Sequence, residues 1–257
     1  MGQCAVTALL TIVTWVGLSR GDEPYTAGIR LSPDVTSVTI LVESVQRESN
    51  RSGAPKYGLT RNDFHRIVNT IPGIRQAVPT REMSKPARYR DRLEDVHLVG
   101  TTPAFSEIRR IHVERGRFLI DNDVKRFGNV AVIGHTVAQR LFPGMDPIGK
   151  SVGVEGAYYL VVGVMAKGDG PKRQTTANVR GTPDRDVYIP LTTMRTRLGD
   201  LEITQSSGTF DADHCELSRI LITVAEVAHA NEVIETIARL LQKSHEQQDY
   251  TITYVTK

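Results

Sequence analysis

An α+β fold, with two strand–helix–strand units drawn from the chain ends and a mainly β insertion between them, follows from three features of the sequence. Apolar β-branched runs alternate with amphipathic helical stripes at both ends of the chain. Between them, from about Gly100 to Asp200, the period changes to short strands separated by Gly/Pro turns. The composition is that of a globular chain: 257 residues, 40% hydrophobic and 24% charged, enough for one large core or two small ones. It is too polar for a multispan membrane protein and too apolar for a disordered one.

The first element is Cys4 to Leu18, CAVTALLTIVTWVGL, uninterrupted by charge and closed by Arg20, Asp22 and Glu23. As a helix rising ~1.5 Å per residue it would reach roughly 22 Å, short of the ~30 Å hydrocarbon core of a bilayer. No Lys or Arg precedes it, so the basic flank of a secretory signal is missing, while Trp15 suits a membrane interface. Residues 1–20 are expected to be a truncated membrane helix or signal-like segment, with the remainder outside the cytoplasm.

The first unit, residues 30–99, opens with Ser37 to Val45 (SVTILVESV), the pattern of a buried strand. Thr60 with Asp63 makes a capping box, Phe64, Ile67, Val68 and Ile71 form one helical stripe, and Pro72-Gly73 stops the helix. Ile74 to Pro79 resumes as a strand. Residues 215–257 repeat the order: Leu217 to Val224 is a strand, Val233, Ile234, Ile237, Leu240 and Leu241 line a helix face, and Tyr250 to Val255 alternates as a closing strand. Each unit alone would leave a sheet face bare, so the two are expected to share one sheet. Acidic residues interleave with the arginines from Arg81 to Arg117, which reads as a solvated mixed-charge surface.

Residues 100–200 are the insertion. Val130 to Ile133 is a brief strand and His135 to Phe142 a short helix, followed by a hairpin of Ser151 to Val154 and Tyr158 to Val164 turned at Glu155-Gly156. Lys167 to Asp186 is a long polar excursion, of the kind that is usually functional. Its cations Lys172, Arg173, Arg180 and Arg185 are the candidate partner-binding surface.

Charge and cysteine content exclude several functions. With 32 Lys+Arg against 29 Asp+Glu, a net charge of +3, the chain lacks the electrostatic footprint of a nucleic-acid binder. Two cysteines, Cys4 and Cys215, cannot form a disulfide framework or a multi-thiolate zinc site. Asp211, Asp213, His214 and Cys215 cluster in sequence, but a polar loop explains them as well as a metal site does. The other histidines are scattered. No cofactor or metal is expected.

Two enzyme patterns also occur. Gly144 to Ser151, GMDPIGKS, matches the phosphate-loop spacing, yet a helix end precedes it and a hairpin follows, the reverse of the strand–loop–helix order that cradling a phosphate needs. Pro147 also removes one backbone donor. Gly149 to Gly153, GKSVG, matches the nucleophile elbow, but Ser151 opens a strand rather than following one, so a hydrolase using Ser151 is the remote alternative. The chain is expected to be non-catalytic.

Val99-Gly100-Thr101-Thr102-Pro103, then Gly116-Arg117-Phe118, Val130-Ala131-Val132-Ile133-Gly134, Leu141-Phe142, Asp146-Pro147-Ile148-Gly149-Lys150 and Val161-Val162-Gly163-Val164 occur in that order across the middle of the chain. This succession closely resembles the MacB-like periplasmic core domain of ABC-transporter permeases of the FtsX/MacB type. The resemblance makes the DPIGK segment a family turn. It implies that the chain ends form a porter-like lobe and the insertion a sabre-like lobe, in the periplasm, rooted in the inner membrane. It further implies a cytoplasmic ABC ATPase as driver, a dimeric permease, and a periplasmic adaptor or lipoprotein carrier as possible partner for export or lipoprotein release. The short first apolar segment, and the lack of helices after Lys257, leave open a fragment, a late start or a stand-alone anchored binding module with the same fold.

Overall fold

The structure is a computed structural model that describes residues 37–46, 57–168, 183–206 and 209–256. The apolar segment within residues 1–20 lies outside these, and no described helix is long and apolar enough to cross a membrane.

In chain order the elements are β1 (Val38–Ser44), α1 (Arg61–Thr70), β2 (Ile74–Tyr89), β3 (Arg92–Thr101), α2 (Ala104–Arg109), β4 (Val113–Gly116), α3 (Asp121–Lys125), β5 (Val130–Ile133), α4 (His135–Leu141), β6 (Ser151–Val154) and β7 (Ala157–Met165). They continue as β8 (Asp186–Pro190), α5 (Leu191–Leu198), β9 (Leu201–Ser206), β10 (Thr209–His214), β11 (Arg219–Val224), α6 (Ala230–Ser244) and β12 (Tyr250–Thr256). One mixed sheet runs β12-β1-β11-β2-β3-β8-β5-β7-β4, with β6 bridging β2 and β7, and β9–β10 form a separate hairpin.

The chain-end strands interleave. β1 and β2 both pair antiparallel with β11, and β11 and β12 both pair antiparallel with β1. Each strand–helix–strand unit is thus split by a strand of the other, the ferredoxin-like arrangement, so neither unit closes without its partner. Val38, Ile40, Val42, Ile220 and Ile222 point to the face covered by α1 and α6, where they meet Ile67, Ile71, Val233, Ile237 and Leu241 in one buried cluster. The capping box at Thr60 forms as its spacing requires: Asp63 N–H donates to Thr60 Oγ1 at 3.1 Å and Thr60 N–H to Asp63 Oδ2 at 2.9 Å.

In the middle, β5 and α4 form where the apolar pattern puts them. The β6–β7 hairpin turns on Glu155 (φ 49°) and Gly156 (φ 75°), the two left-handed residues of a type I′ turn. Two expectations are corrected. The strand from Ile74 does not stop at Pro79 but continues to Tyr89, because its second half pairs with β3 over nine residues from Arg81 to Tyr89. The Asp211, Asp213, His214 and Cys215 cluster, expected as a polar loop, falls largely in a strand: Asp211, Asp213 and His214 belong to β10, which pairs with β9 as a hairpin.

β2 therefore carries two cores on one face: Ala77 packs with the α1/α6 cluster, and Met83 and Ala87 with a second cluster of Leu98, Ile133, Leu141, Phe142, Tyr159 and Met194. A third cluster on the opposite face joins Val78 and Leu221 to Val99, Phe105, Val132 and Tyr188. Gly100 is where α5 crosses β3: a Cβ there would stand 2.3 Å from Met194 Sδ. That close approach explains the glycine physically.

Candidate functional site

The most concentrated buried polarity lies where β2 leaves β11 and joins β3. The register sets Glu43, Arg219 and Thr80 in one cross-strand row. Arg219, 6% exposed, places Nη2 2.6 Å from Glu43 Oε1 and Nη1 3.3 Å from Glu82 Oε1. Glu82 Oε2 in turn lies 3.7 Å from His97 Nε2, and His97 Nδ1 lies 3.5 Å from Asp186 Oδ1. Tyr188 Oη donates to Asp186 Oδ2 at 2.9 Å. The chain of groups crosses β1, β11, β2, β3 and β8 on one face of the sheet. Backbone and hydroxyl contacts reinforce it: Thr80 Oγ1 donates to Arg219 O at 3.2 Å and Glu82 N–H to Ser218 Oγ at 2.9 Å. Paired this way, the charges compensate one another's desolvation; deprived of a partner, each would be costly to bury.

The other face of the same junction is polar too. Arg81, only 4% exposed, separates the two clusters that β2 carries. Nearby, Arg61 grips Asp200 with both guanidinium nitrogens at 2.9 and 2.5 Å and reaches Glu216 at 3.3 Å. The hydrogen bonds from Arg61 hold the Asp200 carboxyl below the usual carboxylate range, and those to Asp200 raise the Arg61 guanidinium in return. Burial pushes the Cys215 thiol up; its Sγ–H donates to Leu217 O at 3.1 Å. The reading of residues 81–117 as a solvated mixed-charge surface holds for Arg88, Asp91, Asp95, Glu107 and Glu114, which are exposed, and is corrected at Arg81. Arg81 and His97 are buried because the long β2 brings its charged stretch under the neighbouring strands.

A second clasp joins the ends of α1 and α6. His245 Nε2 is 3.1 Å from Asp63 Oδ2, and its Nδ1 is 2.7 Å from Asp249 Oδ1. Gly58 N–H donates to Asp249 Oδ2 at 2.6 Å. Burial raises the Asp63 carboxyl, but hydrogen bonds from Thr60 and the neighbouring His245 outweigh it and hold that carboxyl below its ordinary value.

Of the predicted partner-binding cations, Lys172, Arg173 and Arg180 lie outside the described residues. Arg185 joins a surface triad: its Nη2 donates to Glu94 Oε1 at 2.9 Å, and Arg140 reaches the same oxygen at 2.6 Å. The GMDPIGKS segment is a turn between α4 and β6 whose amides are already committed. Ile148 N–H donates to Asp146 Oδ1, Gly149 N–H to Val161 O and Lys150 N–H to Pro147 O. Ser151 begins β6, so no strand delivers it and no helix follows. Among the described residues no group of three His, Cys, Asp or Glu is placed to hold a metal.

Periodicity missed the junction, because it treats charges as surface markers. The available signal was Arg219 and Asp186 directly abutting apolar strand residues, in RILITV and DVYIP. His97 and His245, taken as scattered in sequence, each lie between two carboxylates.

A mixed sheet with split chain-end units and a β-rich middle is the frame that positions these polar clusters. The sequence profile of the MacB-like periplasmic core domain matches residues 2–240, and the chain belongs to that family. It is 31% identical over 195 residues to the macrolide export ATP-binding/permease protein MacB of Marinobacter nauticus, covering 76% of this chain and 27% of that protein. It is 26% identical over 159 residues to the uncharacterized ABC transporter permease YknZ of Bacillus subtilis, covering 62% of this chain and 38% of the relative. The chain thus spans well under half the length of these relatives. Among solved structures, the extracellular domain of YknZ superposes with a TM-score of 0.60 at 22% identity, over 83% of this chain and 98% of that one. The periplasmic region of MacB from Actinobacillus actinomycetemcomitans gives 0.61 at 16% identity, over 83% and 87%. Both likenesses are of fold.

Proposed function

We propose that this chain is the non-catalytic periplasmic part of an ABC-type permease, rooted in the inner membrane, that passes ATPase-driven motion to a periplasmic partner or substrate. The observation that carries the reading is the pairing of Val38 with Thr256. The first strand enters and the last strand leaves side by side at one end of the sheet, as they must if the domain is inserted between two membrane helices. A shift of one helix relative to the other then acts directly on β1 and β12. The interleaved strands around β1 and β12 are the porter-like lobe and the insertion is the sabre-like lobe, with β2 as the shared beam and the buried ion network as the joint. The driver is a cytoplasmic ABC ATPase, the working unit a dimer, and the outer partner an adaptor or lipoprotein carrier. Lys172, Arg173, Arg180 and Arg185 are the surface assigned to that partner, and deleting their loop is expected to abolish its binding.

Topology is tested in intact cells. A cysteine replacing Tyr158, which is 72% exposed, should react with a thiol reagent that crosses the outer but not the inner membrane. In vivo cross-linking of the full chain should recover an ABC ATPase. Labelling only after lysis, with no ATPase recovered, would refute the proposal.

A further inference from the structure

At the end of the sheet where β1 begins and β12 ends, a cavity of about 420 Å³ opens between the strands and α2. Its floor is a cross-strand row of Thr39, Thr223 and Gln76, in which the Thr223 hydroxyl donates to Gln76 O at 3.4 Å and the Gln76 side-chain amide is turned to Glu107. Ile108 and Val227 add apolar wall. Its charged lining residues are Arg75, Arg110 and Glu107, two cations against one anion. Glu107 is occupied, because Gln76 Nε2 donates to its Oε2 at 3.0 Å. Arg75 and Arg110 are exposed and form no ion pair among the described residues. Arg110 ends α2 in the left-handed conformation (φ 52°, ψ 46°), which non-glycine residues rarely adopt. Like Glu107, it also lines a second concavity of about 390 Å³.

We infer that this cavity binds the phosphate-bearing headgroup of an anionic phospholipid, with Arg110 and Arg75 on the phosphate and the Thr39–Thr223 hydroxyls on the glycerol. The two cations supply the charge, the Thr39 hydroxyl a hydrogen-bond donor, the Thr223 hydroxyl, which itself donates to Gln76 O at 3.4 Å, an acceptor, and Ile108 and Val227 an apolar shoulder for the first acyl carbons. The choice of a lipid over a free anion rests on the membrane-rooted reading, which turns this end of the sheet toward the bilayer.

The test uses the full chain reconstituted into vesicles of phosphatidylcholine alone or of equal parts phosphatidylcholine and phosphatidylglycerol. Amide hydrogen exchange is followed across α2 and residues 110–112. Phosphatidylglycerol should slow exchange there about tenfold, the size of effect that roughly 1.4 kcal/mol of binding produces. The protection should disappear in Arg110→Gly, which removes the guanidinium yet accepts the left-handed backbone, and should weaken in Arg75→Ala. Equal protection by inorganic phosphate added to phosphatidylcholine vesicles would overturn the lipid assignment. Protection unchanged in Arg110→Gly, or absent although the chain floats with the vesicles, would overturn the site and leave the membrane-rooted reading standing. Failure to float with vesicles would remove both.

Discussion

The chain-end part of the sheet and its middle are built in opposite ways. Around β1, four antiparallel strands from opposite ends of the sequence interleave, and their core under α1 and α6 closes only when both ends are present. The middle draws partly on neighbours: β2 pairs with β3 and β6 with β7 through two-residue turns, and the parallel pairs among the described strands, β3–β8 and β5–β7, lie there. The first part cannot close without strands from both ends of the sequence, whereas the second draws on tight hairpins together with the longer-range pairs β3–β8 and β2–β6. The two meet along β2, where the buried ion network of Glu43, Arg219, Glu82, His97 and Asp186 runs beside the apolar cluster of Val78, Leu221, Val99 and Tyr188. Such a joint holds geometry through a few directional contacts, and it is the place where a single substitution should separate the behaviour of the two parts.

The largest expected effect is at that joint. Arg219→Met leaves Glu43 and Glu82 buried without their cation and should cost about 3–5 kcal/mol, read as a lowered denaturant midpoint. A loss below about 1 kcal/mol would mean the network is not what couples the parts.

The next largest should fall on the middle alone. Gly163 faces Gly116 across β4–β7, and a Cβ on it would stand 2.2 Å from Arg117 O. Gly163→Ala is expected to cost about 1–3 kcal/mol by forcing the strands apart. Hydrogen exchange should rise in β4 and stay unchanged in β1 and β12. Equal loosening of both ends of the sheet would contradict the division drawn above.

The chain-end part is probed by its clasp. Thr60→Ala removes one side of the capping box and should cost about 1 kcal/mol. Asp63 adds a pH signature. Its carboxyl is held below its ordinary value in the folded state, so its contribution is complete above the unfolded carboxylate pKa. That contribution is lost as pH falls through the still lower folded value. Asp63→Asn should flatten this acid limb of the stability curve, and a limb of unchanged steepness would remove Asp63 as its source.

The smallest effect is expected at Glu235 and Arg239, an exposed i,i+4 pair on α6 at 3.1 Å. Arg239→Ala should change stability by no more than about 0.5 kcal/mol. A larger loss in thermal unfolding would point to a contact on the outer face of α6.

Much of the chain was legible one element at a time. The Thr60–Asp63 cap, the α1 and α6 stripes, β5, and the Glu155-Gly156 turn were visible because their determinants lie within a few residues of one another. The phosphate-loop spacing at Gly144 to Ser151 could be set aside for the same reason, since the order of flanking elements is itself local. The candidate junction was not visible. Arg81, Glu82 and His97 carry the same letters as a solvated surface, and only their strand partners decide that they are covered.

By itself, then, the amino-acid order determined which segments become strands and helices, where they cap and turn, and the family to which the succession of short motifs belongs. The tertiary structure decided that the two end units interleave, that β2 runs unbroken through both parts of the sheet, and that Arg219 meets Glu43 and Glu82. The physical reason is range. Helix stripes, caps and tight turns are set by interactions over a few residues, whereas burying a charge is decided by partners on strands more than a hundred residues away.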